Sequence, residues 1–112
     1  MKPYINVTVV KAPITTRYCQ PGSDAQLDTE KNQIRVGGAW FDYSPVRWKV
    51  VTEEQKKDTF LKDAMDNVIL SDREFADLCE AYNITEEQAM NWMERTGKFT
   101  RLFIDHAWRI DD

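Results

Sequence analysis

The chain has 112 residues, 42% hydrophobic and 12% aromatic, which is the size and composition of one folded core without a disulfide or metal staple. Its 15 Lys and Arg against 19 Asp and Glu give a formal charge of −4, the wrong sign for a protein that lives on phosphate backbones. No apolar run reaches the roughly 18 residues of a membrane span, and Met1-Lys2-Pro3-Tyr4 lacks the charged-then-apolar order of a signal peptide, so the expected location is the cytoplasm. Cys19 and Cys79 stand far apart with no metal-ligand spacing, and no cofactor motif or phosphate-cradling Gly-rich loop is present, so no metal and no cofactor is expected.

Composition changes near residue 51. All four prolines and three of the four glycines precede it, the pattern of a turn-rich antiparallel region. Residues 1–51 carry seven basic and four acidic side chains, and residues 52–112 carry eight and fifteen. A strand-rich half of charge +3 is followed by an acidic helical half of charge −7.

In chain order, Tyr4 to Lys11 alternates Ile5, Val7 and Val9 against Asn6 and Thr8, which predicts a half-buried strand. Residues 12–32, polar and broken by Pro13 and Pro21-Gly22, read as a long binding loop or mobile excursion. Residues 33–36 and 39–43 flank Gly37-Gly38, a pair that tolerates positive φ at both centres of a two-residue hairpin turn. After Ser44-Pro45 a strand is expected over 46–51, with Val46, Trp48 and Val50 on one face.

Three helix starts follow: Thr52 with Gln55, Ser71 with Glu74, and Thr85 with Gln88. Each is a hydroxyl with a longer acceptor three residues on, able to satisfy each other's free backbone donors. They predict helices over 53–70, 72–82 and 86–96, the last ended by Thr96-Gly97. Residues 98–112 fit a strand or a helix. A strand leaves one large apolar side chain, Phe103, on the outer face and a helix leaves two, so a strand that could add to the N-terminal sheet is preferred. The expected fold is one α+β domain over residues 1–112: a small, mostly antiparallel sheet packed against three short helices.

Residues 75–95 carry the most specific local pattern. Cys79 takes a small-residue site in the first helix, Asn83 a turn site, Ile84 the buried site after the turn and Thr85 the next cap, with Ala89 and Trp92 packing inward. The segment resembles the helix-turn-helix of DNA-binding regulators. That resemblance implies a groove-contacting role for Thr85, Glu86, Glu87, Met90 and Asn91, in a regulator expected to be dimeric. From Ile84 to Arg95, however, one base faces three acids. Glu86 and Glu87 have a simpler account as first-turn acids stabilised by the helix dipole.

On the hairpin, Val36 pairs with Ala39, so Arg35 lies opposite Trp40 and Ile34 opposite Phe41. One of Trp40 and Phe41 must then point away from a one-sided core. An exposed Trp40 near Tyr43, Arg35 and Arg47 has the composition of a protein-binding hot spot, with base stacking as the second use. Trp48, Trp92 and Trp108 read as core. A catalytic role for His106 beside Asp105, with Cys19 or Cys79 as nucleophile, has no spacing to support it. Asp24, Asp28 and Glu30 lack the calcium-loop pattern.

The expected function is therefore non-catalytic: a small acidic interaction protein that binds and modulates a partner with a basic surface, such as a nucleic-acid-handling enzyme. The expected contacts are Trp40, Tyr43, Arg35, Arg47, Glu86, Glu87, Met90 and Asn91. By size and style alone, an inhibitor or immunity-type protein of a phage or other mobile element fits. The alternative is a helix-turn-helix transcriptional regulator using residues 75–95, with DNA as partner.

Overall fold

The structure, a computed structural model, describes residues 4–14, 16, 17 and 19–111. Part of the leader reading, on Met1 to Pro3, thus lies outside the described residues. The fold is α+β, as the sequence predicts, but it carries two antiparallel sheets rather than one. The chain groups into two compact units, residues up to Lys56 with Ala81–Asn83, and Lys57–Glu80 with Ile84 onward.

The first unit holds a five-stranded sheet. Strands β1 (Tyr4–Lys11), β2 (Asp24–Asp28), β3 (Gln33–Val36) and β4 (Ala39–Asp42) form a meander, and β5 (Lys49–Val51) returns to the free side of β1, giving the order β4-β3-β2-β1-β5. The register aligns Ile5, Leu27, Ile34 and Phe41 in one row and Val7, Ala25, Val36 and Ala39 in the next. From this face Val7, Val9, Ala25, Leu27, Ile34 and Val36 join Cys19 and Trp48 in a buried cluster. The opposite face carries the row Asn6, Gln26, Arg35, Trp40, all exposed. Flat strands would place β1 and β4 about 14 Å apart. Across that spacing the long Tyr4 and Trp40 side chains meet on the polar face, their rings 6.0 Å apart.

Two sequence expectations fail in this unit. The loop read over 12–32 contains β2, paired on both sides; Thr15 and Tyr18 within it lie outside the described residues. Asp, Ala and Gln are poor strand formers, but ladder bonds to two neighbours override propensity. The predicted strand over 46–51 begins only at Lys49, because the Arg47 and Trp48 amides both donate to the Ser44 carbonyl, at 3.0 and 2.9 Å. Winding residues 44–48 in this way leaves Val46 93% exposed while Trp48 is buried.

All three predicted caps form. Thr52 and Gln55 exchange hydrogen bonds at 3.1 and 3.3 Å, Ser71 and Glu74 do so at 3.4 and 3.2 Å, and the Gln88 amide donates to Thr85 Oγ1 at 3.1 Å. They open helices α1 (Glu53–Met65), α2 (Asp72–Tyr82) and α3 (Glu86–Thr96). The first helix stops earlier than expected. Asp66-Asn67 favours local hydrogen bonds over the helix, and Asn67 Nδ2 donates to the Asp63 carbonyl at 3.4 Å. Ile69–Ser71 then forms strand β6, leaving Val68 and Ile69 exposed and Leu70 buried.

The C-terminal segment is neither one strand nor part of the N-terminal sheet. It folds at residues 103–106 into the hairpin β7 (Phe99–Leu102) and β8 (Ala107–Ile110), and β8 also pairs β6 in the order β6-β8-β7. The turn has no Gly or Pro to announce it; His106 supplies its positive φ, 50°. Among the described residues, no helix is long and apolar enough to cross a membrane.

Candidate functional site

The expected contact residues fall at two places. On the hairpin, Gly37 and Gly38 both take positive φ, 59° and 83°, and set the register that opposes Arg35 to Trp40 and Ile34 to Phe41. Phe41 packs on the buried cluster with its ring 5.9 Å from Trp48, so Trp40 is the aromatic that points outward, 44% exposed. Trp40 and Arg47 line one groove of about 600 Å³ together with Pro13, Ile14, Phe41, Asp42 and Trp48. Arg35 lines a separate hollow of about 520 Å³ on the polar face with Asn6, Asp24 and Gln26. Tyr43 is not brought to the groove's surface; it is half-buried against the core cluster.

The second place is the α2–α3 segment. Asn83 takes φ 54°, and the Ile84 amide donates to the Cys79 carbonyl at 3.0 Å, closing α2 with a left-handed residue followed by a six-to-one hydrogen bond. Thr85, extended at φ −78° and ψ 154°, starts α3, and Gly97 at φ 68° ends it. Ala89 and Met93 are buried, while Trp92 is half-buried, edge-on to Phe60 at 5.8 Å. Thr85, Glu86, Glu87, Met90, Asn91, Glu94 and Arg95 are exposed, so the face of α3 turned to solvent carries three acids and one base.

The β7–β8 hairpin adds features the sequence reading missed, because it ran these residues as one strand. Phe103 and Ile104 stand at its tip, 77% and 93% exposed. Arg101 lies over the Trp108 ring at 5.3 Å and makes a two-point ion pair with Asp72, its Nη2 donating to Oδ2 at 3.0 Å. Residues 29 apart in sequence offered no signal for that pair. Arg109 is likewise held by Asp111, Nε to Oδ1 at 2.8 Å.

The Arg101 hydrogen bond holds the Asp72 carboxyl below its ordinary pKa of 3.8, aided by the charges of Arg101 and His106. A carboxyl depressed on folding contributes stability above its unfolded pKa and loses it as pH falls through the folded value. Asp72→Asn should thus lower the urea midpoint at pH 7, with the gap to the parent closing below about pH 3.8. Asp111, depressed by Thr100 and then Arg109, keeps part of the acid dependence in the variant. A gap that stays constant from pH 7 to 2 would refute the assignment.

Cys19 and Cys79 are buried free thiols; burial and, secondarily, Glu86 push Cys79 up to about 12, and burial raises Cys19. His106 is 80% exposed, with Nδ1 3.9 Å from Asp72. Asp28 spends one carboxylate oxygen on the Glu30 and Lys31 amides, at 3.0 and 3.1 Å, to cap the β2–β3 turn. Among the described residues no three His, Cys, Asp or Glu side chains converge to hold a metal. Comparison with protein-family models, curated proteins and solved structures finds no match.

Proposed function

We propose that this chain is a non-catalytic interaction protein that binds a partner macromolecule and modulates it. The observation that carries the reading is the exposed face of α3, where Glu86, Glu87 and Glu94 surround Met90 and Asn91 and only Arg95 opposes them. Such a face suits a basic protein surface: carboxylates steer the encounter and Met90, 40% exposed, supplies an adaptable apolar contact. The basic cleft of a nucleic-acid-handling enzyme has the complementary charge, and an inhibitor or immunity-type role in the cytoplasm, as for a phage-encoded protein, is consistent with that partner.

A DNA-binding regulator is the second reading, favoured by the turn geometry at Asn83 and by the element order. Helix, strand, two helices joined by a tight turn, then a hairpin whose second strand is central in the sheet resembles the winged form of the helix-turn-helix. Charge weighs against it. Arg101 and Arg109 are already committed to Asp72 and Asp111, which leaves Arg95 and Lys98 as the cations closest to α3 in sequence that have no ion pair among the described residues. A protein that neutralises 6–10 phosphates needs more.

The test is capture by the tagged chain from cell lysate with and without nuclease, together with titration of a mixed-sequence DNA duplex at about 50 mM salt. A stoichiometric, nuclease-resistant protein and no duplex binding are expected. Nucleic acid that elutes with salt, and duplex affinity that falls steeply as salt rises, would overturn the interaction reading in favour of the regulator.

A further inference from the structure

We infer that the outer edge of β4 is a strand-addition site for an extended, acidic segment of a partner protein. The inference extends the interaction reading to the first unit and stands apart from the face of α3. In a two-residue hairpin the residues flanking the turn, Val36 and Ala39, exchange both backbone hydrogen bonds, and the next pair to do so is Ile34 with Phe41. The Tyr43 amide donates to the Asn32 carbonyl at 2.8 Å in the same phase. The N–H and C=O of Trp40 and the N–H of Asp42 therefore point away from β3, and β4 is the last strand of its sheet. The Asp42 carbonyl is already taken by the Trp48 indole N–H, at 3.1 Å. Neither outward amide has an acceptor among the described residues.

A groove adjoins β4. Successive strand residues point to opposite faces, so Trp40 and Asp42 are on one face and Phe41 on the other. One groove of about 600 Å³ is lined by all three, residues of both faces, and by Pro13, Ile14, Arg47 and Trp48. Strand edges are commonly blocked by a Lys, a Pro or a bulge; the four residues of β4 carry none of these. The occupant's chemistry follows from the walls. Trp40 and Ile14, both close to half exposed, suit apolar side chains at alternate positions. Arg47 in the groove wall and Arg35, which lies outside the groove but opposite Trp40 on the same face of the sheet, are exposed and without an ion pair among the described residues; together they outweigh the Asp42 carboxylate and favour an acidic occupant.

The probe is a blocked hexapeptide alternating valine and glutamate, titrated into the full chain while amide exchange is followed by NMR. Saturation should slow exchange at Trp40 and Asp42 at least tenfold, with Ile34 and Phe41 unchanged. The same peptide N-methylated at alternate amides keeps its side chains but loses ladder donors, and should bind at least tenfold more weakly. Arg47→Glu should weaken the glutamate peptide and strengthen its lysine counterpart. Binding that leaves Trp40 and Asp42 unprotected, equal affinity for the methylated peptide, or no binding at millimolar peptide overturns the inference. So does protection of these amides by self-association of the chain alone. The Glu86 and Glu87 exchange leaves this binding unaltered, so failure here and failure of the α3 reading are distinguishable.

Discussion

Replacing both acids at the start of α3, Glu86→Lys with Glu87→Lys, should weaken binding to a basic protein partner at least tenfold, about 1.4 kcal/mol. Both side chains are exposed, and the double change takes the solvent face of α3 from three acids and one base to one acid and three bases. Most of the loss should appear in the association rate and shrink as salt rises, because steering by exposed charges is screened over about 10 Å at 0.1 M salt. A duplex-DNA binder would respond in the opposite direction, gaining affinity as two phosphate-repelling groups become two phosphate-attracting ones. The variant should fold, although two lysines in the first turn oppose the helix dipole at a cost of roughly 0.3–1 kcal/mol each. Unchanged affinity for both kinds of partner would remove α3 from both accounts. Surface plasmon resonance against the captured partner, at two salt concentrations and with a DNA duplex as the second analyte, reads all three outcomes.

What was legible in the sequence was local. The capping hydrogen bonds at Thr52, Ser71 and Thr85, reciprocal at the first two, lie within four residues, and each forms where the spacing placed it. The Gly37-Gly38 turn fixes a register, and the register fixes that Phe41 faces the core while Trp40 does not. Asn83 takes the left-handed turn conformation expected at its site. What was illegible depended on distant partners. Strand β2 is a strand because β1 and β3 flank it, although its Asp-Ala-Gln-Leu-Asp alternation was a period-two signal that weak propensity obscured. The hairpin of β7 and β8 turns at His106, where a residue other than glycine adopts positive φ. The groove beside Trp40 takes Ile14 from a loop without periodicity, and the Asp72–Arg101 pair spans a separation over which no pattern reaches. Sequence reasoning thus located the exposed face of α3 and the outward Trp40 of the hairpin, but not the strand edge or the hairpin tip.

Trp48→Ala should cost about 3–5 kcal/mol of stability, whereas Trp40→Ala, eight residues away on the same connection, should cost no more than about 1 kcal/mol. Trp48 is 4% exposed in the cluster with Val7, Leu27 and Ile34, so truncation removes a large apolar surface and leaves a cavity under the sheet. Its lost indole N–H also frees the Asp42 carbonyl, a smaller loss because Asp42 is exposed and water can replace the donor. Among the described residues Trp40 has one ring contact, with Tyr4 at 6.0 Å, and much of its indole already faces water. Against a total stability of about 5–15 kcal/mol for a domain, the Trp48 loss brings the first unit close to unfolding at room temperature, and the Trp40 loss does not. Urea titration followed by far-ultraviolet circular dichroism separates the two. Comparable losses would mean that Trp40 is packed as core and that the outward edge of β4 is not open to a partner. A large loss at Trp48 alone would leave the hairpin intact in Trp40→Ala, so that a change in peptide affinity there reports on binding and not on folding.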